Sequence, residues 1–160
     1  MYKKLLILSL AVLSFGAVSG EAEIKWVNAD KYTDLKGDTK SDEARVQQAF
    51  FKTMQEEANK FAKENLPSNQ KLVIAIYDVD LAGSVQLANG NGRLSLRRVV
   101  KDETPPGLSV GYIVVDDSGK EIKSGAKALT VTMFRNRGFD SSRFFYETRL
   151  LNDYLSKELG

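Results

Sequence analysis

Val46, Phe50, Met54, Ala58 and Phe61 recur at steps of four and three residues, with Gln, Glu and Lys between them. That spacing lines one side of a helix with apolar groups. A chain carrying such a stripe must also provide an apolar surface to cover it. Ser41, Asp42 and Glu43 form a good start signal. A hydroxyl meets free N–H groups, and two acids sit at the positive end of the helix dipole. Pro67 disfavours helix in the residue before it. The pattern predicts a helix over 42–64.

The surface for that stripe comes from strands. A short alternating segment at about 23–27 places Ile24 and Trp26 on one side, and a polar loop follows to about 40. "KLVIAIYDVDLAGSVQL" (71–87) is apolar on both faces at first, as expected for a central strand. "NGNG" (89–92) is a turn signal because Asn and Gly tolerate positive φ. "RLSLRRVVKD" is read as the hairpin partner, broken by "TPPG". Two further strands flank "DDSGK", and "RFFYETRLLNDYLSKEL" closes the chain as a second amphipathic helix. The order β-α-β-β-β-β-α predicts a two-layer α+β domain. Its sheet is expected to be mainly antiparallel, with both helices on one face.

The first twenty residues stand apart. Lys3 and Lys4 precede an apolar run, Leu5 to Phe15, and "AVSG" supplies small residues. This is the layout of a cleavable secretory signal, with cleavage expected after Ser19 or Gly20. The run is shorter than the roughly 20 residues of a spanning helix. Residues 21–160 are then one domain, large enough for a core without disulfides, and no cysteine is present for one. The formal charge of +2 disappears with Lys3 and Lys4, which leaves 21 basic against 21 acidic residues. A neutral mature chain gives no basis for a nucleic-acid partner.

The chain has no histidine and no cysteine. Ser-His-Asp and Cys-His catalysis, His/Cys zinc sites and haem ligation by those residues are therefore excluded. No cofactor-binding motif is present, and no catalytic or metal-binding residues are assigned. The notable acids are Asp78 and Asp80, which follow Ile74 and Ile76 at the same two-residue spacing. In a regular strand they would prolong the apolar row. They are expected to meet Arg97, Arg98 or Lys101 across the hairpin. Arg135, Arg137 and Arg143 form a second basic group, and arginine's planar fork suits phosphate and carboxylate. Asp30, Asp34 and Asp38 lack calcium-loop order and read as solvated loop. Trp26, Tyr32, Phe144, Phe145 and Tyr146 read as core and rim.

Four stretches, "WVNADKYTDL" (26–35), "DVDLAG" (78–83), "RRVVKDETPPGL" (97–108) and "RFFYETRLLNDYL" (143–155), occur in that order. Together they resemble an uncharacterised family of exported proteins of Gram-negative proteobacteria, domain of unknown function 3016. The resemblance implies a periplasmic location and supplies no activity. It draws attention to Asp78, Asp80, Arg98, Lys101, Asp102, Pro105 and Pro106. Two functional expectations stand. One is a non-enzymatic periplasmic domain binding an envelope protein or an anionic envelope component through Asp78, Asp80, Arg97, Arg98, Lys101, Arg135, Arg137 and Arg143. The alternative is a carboxylate-dependent hydrolase, glycosidase-like or metal-assisted, using Asp78 and Asp80.

Overall fold

The computed structural model describes residues 20–35, 40–90, 93–131 and 143–160, with side chains outside 40–42, 85–90 and 93–97. Strand β1 (Ala22–Trp26) leads through a short 3-10 turn, Ala29–Lys31, into helix α1 (Lys40–Asn65). Then come β2 (Gln70–Asp80), β3 (Ser84–Gly90), β4 (Arg93–Val99), β5 (Gly107–Asp116), β6 (Glu121–Thr130) and helix α2 (Phe145–Leu159). The order is the expected β-α-β-β-β-β-α, with the first strand after α1 divided into β2 and β3.

Four strands form the main sheet in the order β1-β2-β5-β6, and β3 and β4 form a separate two-stranded ribbon. The β2–β5, β5–β6 and β3–β4 pairs are antiparallel, as expected of a mainly antiparallel architecture. The β1–β2 pair is parallel, with Ile24 opposite Ile74. A parallel pair needs a long connection, and α1 is that connection. Central placement of β2 agrees with its apolar run.

Both helices cover one face. The stripe Phe50, Met54, Ala58 and Phe61 meets Leu72, Ile74, Ile76, Val110, Tyr112 and Val114, and α2 adds Leu151, Tyr154 and Leu155. The Phe50 and Phe144 rings meet edge to face with centroids 5.0 Å apart, and Trp26 stacks on Phe51 at 4.0 Å. These aromatics are core and rim, as expected.

The expected strand 71–87 is in fact two elements. β2 ends at Asp80, and β3 begins at Ser84 in a different sheet. Between them Gly83 adopts φ +86°, and a Cβ there would lie 2.4 Å from the Val99 carbonyl oxygen. Only glycine fits both conditions, so the chain turns out of the sheet at this point. The expected hairpin survives as β3 and β4 alone, with Leu87 opposite Leu96. The middle of its turn, residues 91–92, lies outside the described residues.

Candidate functional site

The apolar row of β2 does not run into Asp78. Ile76 pairs with Val110, but the next pair is Asp78 with Ser109, so Tyr77 and Asp78 share one position opposite β5. This is a β-bulge, which inserts a residue and exchanges the faces beyond it. The buried row is Leu72, Ile74, Ile76, then Val79 and Leu81. Asp78 and Asp80 therefore leave the core side. Asp78 is half-buried, Asp80 is exposed, and Tyr77 is 49% exposed.

Asp78 is occupied by the chain itself. Its Oδ1 accepts from the Thr33 backbone N–H at 2.7 Å and from Val79 N–H at 2.9 Å. Its Oδ2 accepts from the Thr33 hydroxyl at 2.8 Å. These bonds hold the segment after β1 alongside β2. Asp34 N–H donates to the Val79 carbonyl at 2.9 Å, and the buried Tyr32 hydroxyl donates to the Ile76 carbonyl at 2.7 Å. Burial pushes the Tyr32 phenol up to about 12, so it remains a donor.

Arg98 is the centre of the arrangement. Its Nη1 donates to three successive carbonyls, Leu81 at 3.1 Å, Ala82 at 3.3 Å and Gly83 at 3.0 Å. Its Nη2 bonds Asp34 Oδ2 at 2.8 Å, and that oxygen also accepts from Leu81 N–H at 3.3 Å. Glu147, 3% exposed on α2, accepts from Ala82 N–H at 2.6 Å. Gly83 N–H donates to the Thr104 carbonyl at 2.9 Å. Every backbone amide of Leu81–Gly83 thus has a partner, as buried polar groups require. Burial raises the Glu147 carboxyl above its ordinary range, while the bond from Ala82 and the charge of Arg98 pull it down. Lost hydration, then Asp34 and Asp78, raise the Asp80 carboxyl, with Arg98 opposing.

This latch changes several expectations. Arg98 pairs with Asp34 rather than with Asp78 or Asp80, because the bulge and the exit at Gly83 take β4 away from those acids. Asp34 is a half-buried partner, not solvated loop. Lys101 is exposed, and its carbonyl caps a turn by accepting from Thr104 N–H and Oγ1, each at 3.1 Å. Arg97 pairs through its backbone with Gln86 in the ribbon. Arg143 is exposed, its guanidinium 5.4 Å from the Phe144 ring centre. Arg135 and Arg137 lie outside the described residues.

Asp34, Thr33 and Glu147 were not among the expected site residues. Glu147 had a signal: it falls between Phe144 and Leu151 at steps of three and four, an acid within the apolar stripe of α2. All four stretches that carry the family resemblance supply a member of the latch: Asp34, Leu81–Gly83, Arg98 with Thr104, and Glu147.

Among the described residues, no group of three or more acidic side chains is placed to hold a metal ion. A surface depression lined by Glu56, Asn59, Lys60, Lys63 and Glu64 lies on α1, apart from Asp78 and Asp80. No helix among the described residues is long and apolar enough to cross a membrane.

No curated protein matches the chain significantly. A crystal structure of a minor lipoprotein from Acinetobacter baumannii aligns over 89% of each chain at 11% identity, with a TM-score of 0.27. That superposition carries neither fold nor function across. The family model described as "Protein of unknown function (DUF3016)" matches residues 20–157, and the chain belongs to that family.

Proposed function

We propose that this is an exported, non-catalytic binding domain of the bacterial envelope, whose contact surface is the charged end of the molecule around the latch. The observation that carries this reading is the β3–β4 ribbon, which forms a sheet of its own and is fastened at its base by Arg98, Asp34, Gly83 and Glu147. A free two-stranded ribbon is marginal in water, so a strong anchor is what a presented arm requires. Export rests on the signal-like N-terminus. Asp80, Lys101 and the ribbon residue Arg97 supply the charge for an envelope protein or an anionic envelope component. Asp78 and Arg98 act from behind, since their polar atoms are taken by the chain itself.

A photo-crosslinking residue placed at Gln86 or Lys101, compared with one at Glu56 on α1, tests the surface in intact cells. The reading expects adducts at the first two positions and none at the third. Hydrolytic turnover by the purified protein that disappears in Asp78→Asn would overturn it in favour of carboxylate catalysis.

A further inference from the structure

β6 is an edge strand, and no described strand pairs with its outer side. Eight of its ten residues are exposed, including Ile122 at 49%. Register fixes its two faces. Lys123, Gly125, Lys127 and Leu129 stand opposite Val114, Tyr112, Val110 and Leu108, on the helix-covered side of the sheet. Ser124, Ala126 and Ala128 occupy the other face. Gly125 has no room for a Cβ, which would lie 2.8 Å from the Tyr112 ring. The ring therefore fills the gap between the two lysines. Lys123 Nζ donates to the Glu158 carbonyl near the end of α2. Lys127 makes no ion pair or hydrogen bond among the described residues.

Edge lysines usually discourage pairing between sheets, and here the register says which pairing is discouraged. Two copies of β6 can pair antiparallel only with like positions of the pleat together, because one residue's N–H and C=O point to the same side. In each such register across the regular stretch 123–130, a lysine falls opposite or diagonal to a lysine. Like charges so placed repel. The same two lysines, four residues apart on one face, attract a strand with acids at alternate positions. The opposite face offers only small side chains, and these leave room for apolar groups.

We infer that β6 is a docking edge for an extended acidic segment of another protein, which adds as a fifth strand with its acids facing Lys123 and Lys127. This surface is separate from the ribbon, and the inference does not depend on the ribbon's role. Main-chain bonds would hold the segment, and the two lysines would choose its charge.

The probe is a ten-residue capped peptide alternating valine and glutamate, with a valine–lysine peptide as control. Amide NMR of the full chain without its N-terminal signal reads the binding. The acidic peptide is expected to shift the 123–130 amides and slow their exchange, while residues 22–26 stay unchanged. Lys127→Glu should weaken it by about tenfold or more. No shift at β6 at millimolar peptide, equal response to both peptides, or full affinity in Lys127→Glu would each overturn the inference. Ribbon variants at Gln86 leave this readout untouched, so the two proposals fail separately.

Discussion

Along β1, outward backbone groups are met by side chains of α1. The Ala22 amide donates to Asn59 Oδ1 at 3.0 Å, the Ile24 amide to Gln55 Oε1 at 3.0 Å, and Gln55 Nε2 donates to the Ala22 carbonyl at 2.7 Å. The exit of β2 is closed the same way by Arg98, Asp34 and Glu147. Along β6 no such closure is found among the described residues. There the edge carries exposed lysines and small residues. A sheet needs its edges covered, charged or paired. Among the described residues, the main sheet has one edge covered by amide side chains and the other guarded by charge.

The comparison breaks most visibly at the latch. Arg98→Ala takes a donor from three carbonyls and breaks the ion pair with Asp34, and is expected to cost about 2–4 kcal/mol. Urea unfolding should show the loss, with fast amide exchange at Leu81–Gly83. Removing the β1 seal in Gln55→Leu/Asn59→Leu orphans the Ala22 and Ile24 amides. About 1–3 kcal/mol is expected, with exchange protection lost at those two amides first.

A finer test uses pH. Glu147 has its carboxyl raised in the folded protein, so the fold binds its proton more tightly than the unfolded chain does. Its contribution to stability is fully present below the ordinary value of 4.5 and declines as pH rises through the raised one. Glu147→Gln keeps an acceptor for Ala82 N–H without the charge. Its stability should fall less steeply with pH over that window than the wild type's, in chemical unfolding at a series of pH values. On the open edge the expectation is near silence. Lys127→Ala and Ile122→Ala should stay within about 0.5 kcal/mol of wild type. A larger loss in either would mean that β6 is covered after all.

Local pattern announced most of the elements. The α1 stripe, expected over 42–64, is a helix over Lys40–Asn65, and its spacing reports the face buried on the sheet. "DDSGK" is a turn because Asp116 Oδ1 gathers Ser118 N–H at 2.9 Å, Ser118 Oγ at 2.6 Å and Lys120 N–H at 3.0 Å, with Gly119 at φ +80°. Those contacts span a few residues, so sequence displays them. The bulge at Tyr77 gave no such sign. Nothing in "AIYDVD" separates a regular strand, with Asp78 below the helices, from a bulged one with Val79 there.

The candidate site was half legible. Asp78, Asp80 and Arg98 were singled out, but their surroundings were misjudged, since Thr33 lies 45 residues from Asp78, Asp34 64 residues from Arg98, and Glu147 65 residues from the Ala82 amide it accepts from. The sequence by itself determined the two amphipathic helices, the strand-rich middle and the absence of histidine and cysteine chemistry. The tertiary structure alone decided that β1 lies parallel to β2, that a bulge turns the aspartates away from the core, and that Arg98 serves backbone carbonyls. The physical reason is range. Periodicity and turn chemistry act over a few neighbours, whereas register and the pairing of buried polar groups exist only once distant segments meet.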